Sequence, residues 1–167
     1  MVIRRATAED ALPMAMLMKD IAPEGFVGTE PPVDVEARAD RFRETLEAGE
    51  PNALWALDDE GRIVGNLGIR QTVPGVLNLG MGLLRDARGR GWGRQLLQTA
   101  VEHARRSGAH KLELEVWLDN ARAIALYASE GFEVEGIRRD HYRRRNGSLR
   151  GTLIMARRFP ENFEPRG

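Results

Sequence analysis

The sequence predicts an α/β fold, with a mixed, mostly antiparallel sheet of about seven strands flanked by helices and splayed at one parallel strand pair. Three observations carry this. Between Ala53 and Leu84 three apolar, β-type runs are separated only by turn-forming segments, which makes them consecutive antiparallel strands. A glycine-rich turn, Arg88-Gly89-Arg90-Gly91-Trp92-Gly93-Arg94, then joins the last run to an amphipathic helical stretch. Beyond it, Lys111 to Trp117 alternates polar and apolar residues, and strand, helix, strand in that order implies a right-handed crossover and parallel pairing.

The elements follow in chain order. Val2 to Ala6 opens with two β-branched residues and reads as a first strand. Asp10 suits a helix N-cap because it places Pro13 in the first turn, where a missing N–H costs little. Leu12, Met16 and Ile21 then mark one apolar side, with Met14, Leu17 and Met18 filling in. Pro23 and the loop through Gly28, Thr29, Pro31 and Pro32 end this helix, and Val33 to Ala48 resumes helical spacing. Ala53 to Leu57 and Arg62 to Gln71 are strands joined by Asp58-Asp59-Glu60-Gly61, and Val73-Pro74-Gly75 turns into the strand Val76 to Leu84. Leu97, Val101 and Ala104, with Leu96 alongside, form the core stripe of the next helix, which Ser107-Gly108 closes. After Phe132 come a strand to Arg138, a basic loop containing Asp140 to Gly147, and a last strand Leu149 to Ala156. The tail from Arg158, with Pro160 and Pro165, reads as loosely held.

Composition narrows the class. A chain of 167 residues suits a single domain over 1–167. Its 25 basic and 25 acidic residues cancel, so no net field points to nucleic acid or an anionic membrane. Cysteine is absent, which excludes disulfides, thiolate metal sites and an acyl-cysteine intermediate. No apolar run approaches the ~18 residues of a membrane span and no signal-peptide core follows the start, so a cytoplasmic monomer or homodimer is expected. His103, within a helix, and His110, at a strand start, have no metal-ligand spacing to other residues and read as surface histidines.

The turn at 88–94 leaves backbone N–H groups without intrahelical partners, reinforced by the positive end of a helix dipole, and its glycines let an anion approach. It is therefore a phosphate socket. A dinucleotide G-x-G-x-x-G fails, because Arg94 or Leu96 stands where the third glycine belongs, and a P-loop fails at Gly93-Arg94-Gln95. The spacing that fits is R-x-x-G-x-G, filled by Arg88, Gly91 and Gly93, and it resembles the acetyl-coenzyme A pyrophosphate loop of the GNAT superfamily of N-acetyltransferases. A second block, Asn120, Ala123, Leu126, Tyr127, Gly131 and Phe132, fits N-x-x-A-x-x-L-Y-x-x-x-G-F at the distance this family shows. The likeness is clear from Val76 to Met155; ahead of that only the order of elements matches.

The resemblance implies a GNAT-type fold and acetyl-CoA as co-substrate, with Leu83, Leu84 and the loop Arg88, Gly89, Arg90, Gly91, Trp92, Gly93 and Arg94 around it and Asn120 on its arm. Tyr127 would protonate the departing thiolate: a phenol near about 10 can serve a thiol near about 8.5. The amine must shed a proton before it attacks, and Glu115 is the first candidate base, because Leu114-Glu115-Val116 resembles the RimI branch, where the corresponding glutamate has that role. Glu113 shares its face. Many members carry a glutamate on the strand before the loop, where this chain has Asn78, Leu79 and Met81. Glu24, Phe26 and Glu30 in the Pro-rich loop, and His141 and Tyr142 in the basic loop, are candidate acceptor contacts, the last two also alternative bases.

Gly136-Ile137-Arg138-Arg139-Asp140 resembles the RimJ/RimL-like and amino-acid N-acetyltransferase branches. The expected activity is transfer of an acetyl group to a small primary amine, such as an amino acid, by direct attack in a ternary complex. The other readings are a protein N-terminus or aminoglycoside acceptor, a CoA-binding module without chemistry, and a nucleic-acid module, which balanced charge disfavours.

Overall fold

A computed structural model describes residues 1–163. In chain order the elements are β1 (Val2–Arg5), α1 (Ala11–Ile21), α2 (Val35–Ala48), β2 (Ala53–Asp59), β3 (Arg62–Val73), β4 (Val76–Leu83), α3 (Trp92–Arg106), β5 (Lys111–Trp117), α4 (Ala121–Ser129), β6 (Glu133–Arg143) and β7 (Leu149–Arg158). One seven-stranded sheet runs β1-β2-β3-β4-β5-β7-β6. All neighbours are antiparallel except β4 and β5. That parallel pair is registered only at Val76–Lys111, Leu77–Leu112 and Asn78–Glu113, after which the strands part. The β2–β3 turn takes positive φ at Glu60 (53°) and Gly61 (90°), the hairpin geometry whose twist matches its flanking strands.

Each face of the sheet carries its own core. Leu96, Leu97, Ala100, Val101 and Ala104 of α3 pack on Leu67, Ile69, Leu77, Leu112, Leu114 and Val116, joined by Tyr127 of α4. On the other face Met14, Leu17, Met18 and Ile21 of α1 meet Ala39 and Phe42 of α2 over Leu54, Ala56 and Ile63.

Several expectations need correction. Leu12 and Met16 are 38% and 54% exposed, because the stripe that α1 buries runs through Ala11, Met14, Ala15, Met18 and Ile21, with two alanines holding positions that the longer apolar residues were expected to fill. The basic loop is shorter than expected, since Asp140, His141, Tyr142 and Arg143 belong to β6, which pairs with β7 up to Arg143–Leu149. His103 is buried, its ring edge-on to Trp55 and its Nε2 2.8 Å from the Pro51 carbonyl. Phe159 anchors the start of the tail in the α3-side core; positions 164–167 lie outside the described residues.

Arg4 ties the N-terminal half together. It donates both terminal nitrogens to Asp10, each at 2.8 Å, and Nε to Asp58 at 2.9 Å, joining β1, the entry to α1 and the β2–β3 turn. Asp10 does not cap its own helix; it accepts from the Thr7 N–H and hydroxyl. The Arg4 hydrogen bonds hold its carboxyl down at about 2, from an ordinary 3.8. A depressed carboxyl stabilises the fold above its unfolded pKa and loses that contribution as pH falls through the folded one. Asp10→Asn is therefore expected to cost about 2 kcal/mol at pH 7 by urea unfolding, with the deficit shrinking between about pH 4 and pH 2.

Candidate active site

The site forms where β4 and β5 diverge. β4 ends at Leu83, and the chain turns through Arg85–Ala87 to Gly89 and Gly91, whose φ angles of 73° and 84° put them in the left-handed region. Gly91 caps α3, and the first amide of the helix to find a backbone carbonyl is Gln95, bonded to Gly91 at 3.1 Å. The amides of Gly89 to Arg94 precede that bond and are the donors the turn presents. Nothing lies within 4 Å of a Cβ built on Gly91, so there is open space beside it.

A cavity of about 670 Å³ runs from this turn to α4, lined by Ile21, Glu24 and Phe26 on one side and Leu83, Arg88, Gly89, Gly91, Gly93 and Arg94 on another. Asn120, Arg122, Ala123, Leu126 and Tyr127 close it. Asn120 caps α4 by accepting from the Ala123 N–H at 3.2 Å. Tyr127 is buried, and burial alone pushes its phenol up to about 12. The open amides, the flanking Arg94 and Arg122 and the length of the cavity fit a diphosphate with an extended arm reaching Tyr127.

Arg88 serves the loop with its side chain. It clasps Glu24 through two contacts of 2.5 and 3.1 Å and donates to the Leu83 carbonyl at 2.7 and 3.0 Å. Arg88 holds the Glu24 carboxyl below the usual carboxylate range. Glu24 is thereby fixed at the start of a strap, the segment 25–31, that crosses to β5 and the β6–β7 hairpin. Arg150 donates to the Gly25 carbonyl at 2.6 Å, Trp117 Nε1 to Val27 at 3.3 Å and Arg145 to Pro31 at 3.0 Å. Glu30 accepts from the Arg145 N–H at 2.9 Å and pairs with Arg144 at 3.5 Å.

Glu115 stands two residues beyond the last β4–β5 pair. Leu114 and Val116 face the α3-side core with Tyr127, so alternation puts Glu115 on the opposite face, where Trp117 holds the strap. Its carboxylate accepts from the Tyr142 hydroxyl at 2.7 Å and the Thr152 hydroxyl at 2.9 Å, and Arg138 lies 3.2 Å from its other oxygen. Glu113, its neighbour on that face, sits 3.6 Å from Lys111.

The structure thus gathers Glu24, Phe26, Leu83, Arg88, Gly89, Gly91, Gly93, Arg94, Asn120 and Tyr127 around one cavity. It sets the other sequence candidates, Glu115 and Tyr142 included, outside that lining. Leu84 packs toward α1 and α2, Trp92 toward Leu57, Val64 and Ala87, and Arg90 is exposed. Glu30 fastens the strap, and His141 is exposed beside Arg138 and edge-on to Tyr142. Sequence reasoning missed Arg150, Trp117 and Thr152, for which no local motif exists; only strand pairing brings them to the site.

The acetyltransferase (GNAT) family model matches residues 16–132, which include the phosphate turn and the Asn120–Phe132 block. L-methionine sulfoximine/L-methionine sulfone acetyltransferase of Pseudomonas aeruginosa is 32% identical over 115 residues, 66% of each chain. The match thus spans just under two thirds of that relative's length. Among solved structures, ribosomal-protein-alanine N-acetyltransferase of Brucella melitensis is similar at 27% identity and a TM-score of 0.85, over 95% of this chain and 100% of the other. A GNAT superfamily phosphinothricin acetyltransferase of Sinorhizobium meliloti, in complex with acetyl-CoA, shares the fold at 23% identity and a TM-score of 0.83, over 95% and 88% of the two chains. Motifs, topology and this family match agree: the chain belongs to the GNAT family of acetyltransferases, whose acetyl donor is acetyl-CoA.

Proposed function

We propose that the protein transfers an acetyl group from acetyl-CoA to the primary amine of a small molecule, an amino acid or a related compound, by direct attack within a ternary complex. The observation that carries this reading is the strap. Fastened at Gly25, Val27, Glu30 and Pro31, it lies along the β5 and β6–β7 flank of the opening, and in this reading it is the wall of a site for a small amine. The Pseudomonas relative, named for two amino-acid derivatives, supports the same class. The Brucella structure favours a second reading, a protein α-amine acceptor.

In this reading the amides of Gly89 to Arg94, with Arg94 and Arg122, hold the diphosphate, and Asn120 borders the arm. Acetyl-CoA supplies an acyl thioester that an unprotonated amine can attack, with a thiolate as leaving group. Tyr127 lies in the cavity on the α4 side and donates its phenolic proton toward that sulfur. Glu115 is the base, on the opposite face of the sheet.

The test is thiol release from acetyl-CoA against amino acids including methionine sulfone, polyamines, aminoglycosides and N-terminal peptides. Turnover is expected with amino-acid acceptors, and Tyr127→Phe should lower kcat about 100-fold with little change in acetyl-CoA affinity. Turnover confined to peptides would shift the reading to a protein acceptor; full activity in Tyr127→Phe would remove the acid from this residue. The pH profile gives a second expectation. Because burial raises the Tyr127 phenol to about 12, its protonated form persists through alkaline pH, so activity should show no descending limb from this group below about pH 11.

A further inference from the structure

We propose that Arg38, Arg41 and Arg70 hold a carboxylate of the acceptor, across a glycine floor from Glu113 and Glu115, so that the site selects a zwitterion. The inference rests on the acetyltransferase reading above and names the second charge its acceptor carries. It begins with three arginines that have no acid. Among the described residues, no carboxylate lies within 4 Å of Arg38, Arg41 or Arg70. Arg38 and Arg41 are neighbours on one side of α2, three residues apart. Arg38 lies over the Phe42 ring at 5.2 Å, and its Nε is buried with no hydrogen-bond partner. Burial first, then the charges of Arg41 and Arg70, push its guanidinium down. Three like charges thus gather where α2 meets β3, and an oxyanion is what would stabilise them.

Strand order places this cluster beside the opening. Ile69, Leu79 and Leu114 lie in the α3-side core, so positions 70, 78, 80, 113 and 115 take the opposite face, that of α1 and α2. Arg70 pairs with Asn78, and Asn78 with Glu113, in one row across three strands at the last rung before β4 and β5 part. Arg70 and Glu113 are therefore two strand spacings apart, about 10 Å between Cα atoms. They do not bond each other; Glu113 turns instead to Lys111 at 3.6 Å. Between and just beyond them is Gly80, exposed, with nothing within 4 Å of a Cβ built on it. Gly82, two residues further along β4, already lines the cavity. The strip of sheet leading from the cavity is thus bare, with a wall of arginines on one side and a wall of glutamates on the other. Glu115, Arg41 and Arg70 are all exposed to it or at its edge.

That charge order fits one class of acceptor. An α-amino acid carries its ammonium and carboxylate on one carbon, so the carboxylate can meet the guanidiniums while the ammonium faces the β5 carboxylates. A plain amine leaves the arginines unpaired. A peptide's α-amine is followed by a neutral amide where the amino acid has its carboxylate, and an amide cannot take two charge-assisted hydrogen bonds from a guanidinium. Specificity for the free amino acid then comes from an anion the acceptor brings, not from the amine that reacts.

The experiment measures thiol release from acetyl-CoA with the standard amino acids and methionine sulfone, with the amines that remain when their carboxylates are removed, and with N-terminal peptides. It compares wild type with Arg70→Gln and Arg41→Gln, two exposed positions whose replacement is compatible with folding. Each variant should raise the amino-acid KM about 10-fold, leave kcat and acetyl-CoA affinity unchanged, and leave the decarboxylated amine's kinetics as in wild type. An equal loss on both acceptors would mark a structural effect and overturn the assignment, as would wild-type amino-acid KM values in both variants. Inorganic phosphate, the free-anion probe, should compete with the amino acid and not with the amine. Phosphate binding that Arg70→Gln abolishes while the amino-acid KM stays unchanged would give the cluster to a free anion and overturn the carboxylate. Turnover confined to carboxylate-free amines or peptides would overturn the zwitterion and leave the acetyltransferase reading standing; no thiol release with any amine would overturn both.

Discussion

The site depends on one interruption of hydrogen bonding: β4 and β5 pair at three positions and then separate. In a continuous sheet the backbone groups of both strands would be consumed and the two faces sealed from each other. Here the gap lies at the C-terminal ends of a parallel pair, beside the N-terminus of the crossover helix α3, where amides without intrahelical partners also collect. On the other flank β4 is approached closely. A Cβ on Gly82 would stand 2.6 Å from the Ile21 side chain, so glycine there lets the end of α1, and the strap that follows it, lie against the opening.

The opening has different chemistry on its two sides. Tyr127 comes from the apolar α3-side core, where desolvation keeps its phenol protonated. Glu115 comes from the face that carries hydroxyls and arginines. Alternation along β5 turns Glu115 away from Leu114 and Val116, against whose face α4 packs Tyr127.

The strap is held mainly by arginines on backbone carbonyls, with Trp117 between Arg144 and Arg150 at 5.1 and 4.1 Å. Each contact on a half-exposed surface is worth little alone. Together they convert a Pro-rich connection into a wall, and the Glu24–Arg88 clasp joins that wall to the phosphate loop. The strap and the loop at 88–94 are thereby mechanically linked.

What the sequence by itself determined was local: the strands from Ala53 to Leu83, the socket at 88–94, the crossover into Lys111–Trp117 and the block around Tyr127, each written in a few contiguous residues whose periodicity or turn chemistry acts over one or two turns of chain. Even there, the buried side of α1 was misjudged where alanine, too small to signal a core, fills it. Only the tertiary structure decided that β7 inserts between β5 and β6, that a bulge carries Tyr142 onto Glu115, and that Arg150 and Trp117 hold the strap. Those contacts join residues some 30 to 125 positions apart, and strand register, which no short pattern encodes, brings them together.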